Sequence, residues 1–166
     1  FCDNYLEIVK DRLYNPDVRC KEARKSGQEA LYTSLLAVLK MISPITPHIT
    51  EEIYHLYFNK KESCKSIHTS NWPKVDSSLI DEHLELTGDL GIDVIGAVRK
   101  FKSEQQMSLK EELSELILIS KEDGFEEMIN SIKDDLKAVL KVKEIKFSGE
   151  TSLETDKFSI KVGIIK

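Results

Sequence analysis

Several features that would indicate a membrane protein, a disulfide framework or a thiolate metal site are missing from this sequence. No apolar run approaches the roughly 18 to 20 residues that cross a bilayer, and no basic stretch followed by an apolar one opens the chain. The three cysteines, Cys2, Cys20 and Cys64, are odd in number and form no CxxC pair. This spacing favours neither a disulfide framework nor a zinc site, and we expect a cytoplasmic protein with reduced thiols.

Glycine is scarce, and no pattern of catalytic residues stands out. The seven glycines form neither GxxxxGK[ST] nor GxGxxG, the loops whose backbone N–H groups hold phosphates. Cys64 lies in a charged loop and Cys2 has no histidine nearby in sequence, so neither is predicted to be a nucleophile. His48, Glu52 and His55 share a helix face without HExxH spacing, which favours a surface or packing role over a metal site. The sequence predicts no catalytic residue, metal or cofactor within this chain.

The charge balance does not select a nucleic-acid partner on its own. The chain carries 24 Lys+Arg against 29 Asp+Glu, a net charge of -5, whereas nucleic-acid binders are usually basic. Residues 1 to 110 hold 15 basic and 16 acidic groups, so any RNA-binding face must be local. The candidate RNA-binding residues are the two densest basic stretches together with one arginine of the first helix: Arg12, Arg19, Lys21, Arg24, Lys25, Arg99, Lys100 and Lys102.

Each of these basic groups also has a structural interpretation. The stretch from 19 to 25 opens a helix, where it can bind phosphates or form a solvated helix face. Arg99 and Lys102, three residues apart, are predicted to point outward together, but cations at a helix end also cap it or bridge to nearby acidic groups. Trp72 can stack on an RNA base, although a role as an anchor for its loop is favoured.

Helical spacing dominates the first two thirds of the chain. Apolar residues recur every three to four positions up to Leu13, from Lys21 to Ile42, from Pro47 to about Asn59, and from Ile80 to Lys102. Asn15-Pro16-Asp17 predicts a loop, and Thr46 is the predicted N-cap of the third helix. These four helices predict an antiparallel bundle over residues 1–104. Because the helical face already includes Phe1, we expect the chain to be a segment of a longer protein.

The period changes after Leu113. A short apolar run at 116–119 predicts a strand, 125–140 predicts a helix, and the alternating patterns at 145–147 and 158–164 predict two more strands. The tail is therefore predicted as β-α-β-β, a small α/β subdomain over residues 105–166 with a helix on one face of its sheet. The predicted fold class is mainly α, a helical bundle followed by this subdomain.

Four segments resemble the C-terminal region of valyl-tRNA synthetases, which are class I aminoacyl-tRNA synthetases. They are FCDNYLE at 1–7, the stretch 39–54 that contains SPITPHITEEIY, SIHTSNWP at 66–73 and AVRKFKSEQQMSL at 97–109. The second segment is similar across the valyl, isoleucyl and leucyl enzymes, while the last two favour the valyl enzyme in its archaeal-type lineage. The resemblance covers residues 1–110 well and 111–166 more loosely.

This resemblance implies a bundle of the class I synthetase anticodon-binding type that recognises tRNA(Val) by phosphate contacts and by unstacked anticodon-loop bases. ATP and magnesium would act in the upstream catalytic domain of the same chain, because the HIGH and KMSKS signatures are absent here. We therefore expect a non-catalytic, monomeric chain. The alternatives are the anticodon-binding domain of isoleucyl-tRNA synthetase and a protein-interaction module, which lacks the steep salt dependence of RNA binding.

Overall fold

A computed structural model describes residues 4–121, 123–155 and 157–165, so the expectations for Phe1 and Cys2 lie outside the described residues. The chain divides into two compact units. The sheet unit combines the segment up to Asn15 with Asp81–Lys166, and the helical unit is Pro16–Ile80. The predicted boundary after residue 104 therefore falls inside the sheet unit rather than between the two.

The fold is mixed α/β, with seven α-helices and four strands among the described residues. In chain order the helices are α1 (Tyr5–Tyr14), α2 (Pro16–Arg19), α3 (Lys21–Ile42), α4 (Pro47–Tyr57), α5 (Glu82–Glu104), α6 (Phe125–Ser131) and α7 (Lys133–Leu140). The strands are β1 (Leu113–Ile119), β2 (Val142–Lys146), β3 (Leu153–Glu154) and β4 (Lys161–Ile165). Short 3-10 turns span Ile67–Thr69 and Ser77–Leu79. None of the described helices is both long and apolar enough to cross a membrane.

The four long helices predicted from the apolar spacing are confirmed, as α1, α3, α4 and α5. The predicted loop at Asn15-Pro16-Asp17 is wrong in part: α1 ends before Asn15, but Pro16 starts the single helical turn α2. Proline is well suited to the first turn of a helix, where a backbone N–H has no intrahelical partner. The antiparallel arrangement of these helices in one bundle remains a prediction.

The sheet has the strand order β2-β1-β4-β3. β1 runs parallel to β2 and antiparallel to β4, which in turn pairs antiparallel with the short edge strand β3. Because parallel neighbours need a crossover, α6 and α7 connect β1 to β2. The β-α-β-β order of the tail is confirmed, except that its helix is divided at Ile132 and that β3 is added.

The core of the sheet unit lies between the sheet and its helices. Leu90, Val94 and Val98 recur at helical spacing on α5 and are fully buried, together with Leu116 and Leu118 of β1. In the same unit, α1 packs against α7, and Ile8 of α1 contacts this core. Two helices predicted for the bundle, α1 and α5, thus belong to the compact unit that contains the sheet.

The helical unit has its own smaller core, in which α3 packs against α4. Leu39, Tyr54 and Phe58 are buried there, and the Tyr54 hydroxyl donates to the Cys64 carbonyl oxygen at 2.7 Å. Thr46 occupies the predicted N-cap position of α4, but its hydroxyl makes no capping bond and donates to the Ile42 carbonyl oxygen instead. A hydrogen bond to Ile42, the last residue of α3, therefore helps to hold the link between α3 and α4.

Candidate nucleic-acid interface

Arg12, predicted to bind RNA, is used inside the sheet unit. Its Nε donates to Asp135 Oδ1 at 2.9 Å, and a second guanidinium N–H donates to the other carboxylate oxygen. The Asp135 side chain is only 6% exposed, and its hydrogen bond to the guanidinium raises the pKa of Arg12. The two-pronged pair joins α1 to α7 and gives this arginine a structural role, while its contact with RNA stays a prediction.

The prediction that Lys102 faces RNA is wrong. The residue is 2% exposed, and its Nζ donates to the carbonyl oxygens of Leu109 at 3.3 Å, Glu111 at 2.7 Å and Leu140 at 2.9 Å. Desolvation by burial lowers the pKa of Lys102. Helical spacing alone could not show that the segment after α5 folds back over this side chain. The structural alternative, a helix-end cation bound by the tail, is the one observed.

Beside Lys102, the sheet unit contains a cleft of about 430 Å³, which we call the lysine cleft. Its wall carries basic side chains from four different places in the chain. Arg99, predicted from the sequence, is one of them, whereas Lys100 is exposed on α5 but does not line the cleft. The residues that line the lysine cleft include Lys10, Arg99, Lys110 and Lys141, with Glu7 and Asp11 as the acidic members.

Lys110 and Lys141 were not identified from the sequence, because each is isolated there from the basic stretches. Their proximity depends on the parallel pairing of β1 with β2, which places Leu113 opposite Val142. Lys110 precedes the first of these strands and Lys141 the second, so both lie at the same edge of the sheet. No local pattern of charge could have predicted that Lys110 and Lys141 lie at the same edge of the sheet.

The other predicted basic stretch lies in the helical unit. Lys21, Arg24 and Lys25 are exposed along the first turns of α3, and Arg19, at the end of α2, is half-buried. The N-cap of α3 is Cys20, whose Sγ accepts from the Ala23 N–H. Three of the predicted cations therefore lie exposed in the first turns of one helix. This agrees both with phosphate binding and with a solvated helix face.

A shallow depression adjoins this helix start and is lined by Lys25, Tyr32, Lys61 and Glu62. Lys61 Nζ lies 5.2 Å from the centroid of the Tyr32 ring, and the Tyr32 hydroxyl donates to Glu62 at 2.7 Å. Burial, assisted by the bond to Glu62, raises the pKa of Tyr32 to about 12. Tyr32 thus contacts the ammonium of Lys61 and the carboxylate of Glu62, in a depression that Glu29 also lines.

The segment SIHTSNWP is held by Glu51 of α4. One carboxylate oxygen accepts from Ser66 Oγ and from the Ile67 N–H, each at 3.0 Å, and the other lies 3.0 Å from His55 Nε2. Ile67 is buried, whereas Trp72 is 60% exposed. The prediction that Trp72 anchors its loop is therefore wrong, since Glu51 and Ile67 do so.

Among the described residues, no three His, Cys, Asp or Glu side chains are grouped as metal ligands would be.

Glu51→Gln should lower the free energy of unfolding by about 1 to 2 kcal/mol, because charge-assisted hydrogen bonds to the loop are replaced by weaker neutral ones. Burial acts to raise the pKa of Glu51, but its hydrogen bonds from Ser66, Ile67 and His55 outweigh burial and lower it from 4.5. A depressed pKa means that this contribution is present above pH 4.5 and is lost as the pH falls through the folded-state value.

Urea unfolding at pH 7 and at about pH 3 measures this effect, with the exposed neighbour Glu52→Gln as the control. The difference between the parent chain and Glu51→Gln should shrink at the lower pH. A difference that is the same at both pH values, or that Glu52→Gln shares, would contradict the assignment.

Comparison with known proteins gives consistent matches. The family model described as the anticodon-binding domain of tRNA ligase matches residues 1–117. Valine–tRNA ligase of Ehrlichia ruminantium (strain Welgevonden) is 42% identical over 163 residues, 98% of this chain and 19% of that protein. The valine–tRNA ligase of Thermococcus kodakarensis is 32% identical over 160 residues, 96% of this chain and 18% of that protein. The valine–tRNA ligase of Orientia tsutsugamushi is 36% identical over 157 residues, which are 93% of this chain and 18% of that protein.

The chain spans about a fifth of the length of the curated relatives it matches. Bacterial and archaeal relatives both align along nearly the whole chain, and the 42% match is bacterial. The expectation of an archaeal-type lineage is therefore not supported. The alignments also extend past residue 117, the end of the family match, so the sequence similarity includes the segment that forms the sheet in this chain.

Proposed function

Because the chain belongs to the family of anticodon-binding domains of tRNA ligases, we propose that it recognises the anticodon arm of tRNA(Val) within a valine–tRNA ligase. The observation that carries the proposal is the alignment with proteins of that name over 98% of this chain. In this proposal the attachment of valine, with its need for ATP and magnesium, takes place in an upstream catalytic domain of the same enzyme, in the cytoplasm. This chain contributes binding and no catalytic residue, and acts as a monomer.

The described surface supports binding by charge and stacking. Lys21, Arg24 and Lys25 project from the start of α3 as solvated cations that can contact backbone phosphates, which position an RNA without reading its sequence. Trp72 exposes most of its indole, and an exposed aromatic face can stack on an unpaired loop base. Both groups belong to the helical unit. Phosphate contacts would position the anticodon arm and stacking would hold an unpaired base, while discrimination between anticodons needs hydrogen bonds to base edges in addition.

The variant Lys21→Gln/Arg24→Gln/Lys25→Gln should bind tRNA at least about tenfold more weakly at 0.1 M salt, because fewer counterions are released when fewer phosphates are neutralised. The slope of log affinity against log salt should fall by roughly one for each phosphate that the variant no longer binds. Fluorescence titration of labelled tRNA(Val) measures both quantities. Lys60→Gln/Lys65→Gln/Lys74→Gln is the matched control, since it removes three exposed positive charges from the same unit.

The proposal also specifies which RNA is bound. The parent chain should prefer tRNA(Val) over the same transcript with a replaced anticodon, and over tRNA(Ile). A preference for tRNA(Ile) would assign the chain to the isoleucine enzyme instead. If binding to every tRNA is absent even at low salt, the chain does not recognise RNA and the proposal fails.

A further inference from the structure

We propose that the lysine cleft of the sheet unit is a second RNA-binding site, which holds backbone phosphates through Lys110 and Lys141. This inference rests on the proposed function for the identity of the partner, but it concerns a different surface from the start of α3. It assigns a binding role to the segment after α5 and to the α7–β2 corner, where the sequence predicted no RNA contact.

The buried ammonium of Lys102 determines the geometry of the cleft. It binds the carbonyl oxygens of Leu109 and Glu111, the two neighbours of Lys110, and also that of Leu140, the neighbour of Lys141. The backbone is tied again at the same place, since the Leu113 N–H donates to the Lys141 carbonyl oxygen at 2.8 Å. The backbones that carry the two exposed lysines are therefore joined through one internal cation.

Lys110 and Lys141 are exposed cations of the cleft for which the described residues supply no carboxylate partner. Within the described residues, neither ammonium takes part in an ion pair. By contrast, Lys10 is paired with Glu7, and Asp11 accepts a hydrogen bond from the Asn15 amide at 2.7 Å. Glu7 and Asp11 thus both have partners within the chain, while the positive charge of Lys110 and Lys141 remains available to an external anion.

A phosphate in this cleft would have to be held by side-chain cations, because the helix C-termini that border it carry partial negative charge. The helices that border it, α1, α5 and α7, all present their C-terminal ends there, through Tyr14, Lys102 and Leu140. Small phosphate ligands are commonly held by backbone N–H groups at helix N-termini, which this cleft lacks within its described lining. Side-chain cations are then the available donors, and separated point charges suit phosphates spaced along a chain.

An exposed aromatic ring completes the site. Tyr14 lines the cleft at the end of α1 and is 77% exposed. A ring in that position can stack on a base or ribose of a strand whose phosphates lie on the lysines. Cation and aromatic side chains side by side are the usual composition of a surface that binds RNA without reading its sequence.

The test is the double variant Lys110→Gln/Lys141→Gln, made in the full chain of 166 residues. Glutamine is similar to lysine in length and makes the same demand on the left-handed backbone of Lys141, at φ 58°. The matched control is Lys121→Gln/Lys161→Gln, which removes two charges at the opposite edge of the sheet, where Lys161 pairs with Ile119 at the end of β1. Affinity for tRNA(Val) is measured across a salt series, and the melting temperature of each variant is recorded.

If the cleft holds phosphates, the cleft variant should bind tRNA(Val) and other tRNAs about tenfold or more weakly at 0.1 M salt, with a salt slope smaller by roughly 1.5 to 2. The control should stay within about twofold of the parent chain. If the parent binds tRNA and the two variants behave alike, the cleft site is disproved and the proposed function stands. If the parent binds no tRNA, both fail.

Two further results would assign the lysines another role. A lower melting temperature of the cleft variant with unchanged tRNA affinity would mean that Lys110 and Lys141 only offset the carbonyl charges of the helix ends. Loss of binding to polyglutamate, again with unchanged tRNA affinity, would assign the cleft to an acidic protein segment. Either result overturns the proposal.

Discussion

Replacing Lys102 with methionine is expected to lower the free energy of unfolding by about 3 kcal/mol. Methionine has a similar length but no N–H donor, so the carbonyl oxygens of Leu109, Glu111 and Leu140 lose their shared partner. The hydrogen bond to Leu140 is buried, and a polar group left buried without a hydrogen bond costs about 1 to 3 kcal/mol, while the bonds to Leu109 and Glu111 are partly buried and add less. The gain from burying an apolar side chain offsets only part of that loss.

Lys100→Met is the matched control, because Lys100 lies two residues earlier on α5 and is exposed. Guanidinium unfolding of both variants measures the free energy of unfolding. It should fall by about 3 kcal/mol for Lys102→Met and change by less than about 0.5 kcal/mol for Lys100→Met. Equal stability of the two variants would mean that water satisfies the carbonyl oxygens and that the ammonium is dispensable.

Gly163→Ala is the second substitution expected to have a large effect, with a loss of about 3 kcal/mol or more. A Cβ atom at this position would lie 2.1 Å from the Glu150 carbonyl oxygen and 3.2 Å from the Ile117 Cβ. Neither contact can be relieved by rotating the end of a side chain. Gly163 also pairs with Ile117 in the centre of the sheet, so the strand cannot move away without breaking the ladder with β1.

The matched control is Gly96→Ala on α5, where a Cβ atom would meet no heavy atom within 4 Å. Alanine favours the helix more than glycine does, so Gly96→Ala should raise stability by about 0.5 to 1 kcal/mol. Opposite signs for the two substitutions in urea unfolding are the expected result. A Gly163→Ala chain as stable as the parent would show that the approach of Glu150 is not close.

The sequence predicted the helices well because their signals are local. Apolar spacing, with Pro44 shortly after the last turn, placed α3 at Lys21–Ile42, the range seen in the structure. The change of period after Leu113 likewise predicted β1, β2 and β4 of the tail, but not the two-residue strand β3. The order of elements, which depends on such local signals, could be predicted almost completely.

Packing between distant segments could not be predicted in the same way. Nothing near Arg12 in the sequence points to Asp135, and nothing near Lys102 points to Leu140. Both cations therefore looked like solvated charges, although each has its partners far along the chain. Lys110 and Lys141 present the converse case, since each is inconspicuous locally and only the register of β1 with β2 places them at one edge.

The division of the chain into units also has a consequence for its synthesis on the ribosome. The helical unit is one continuous segment, Pro16–Ile80, whereas the sheet unit is assembled from the segments on either side of it. Chains emerge N-terminus first, so Tyr54 and Phe58 can be buried while α1 still waits for α7. Until Asp135 has been synthesised, Arg12 lacks the carboxylate that it binds in the folded unit, and among the described helices α1 waits longest for its packing partner.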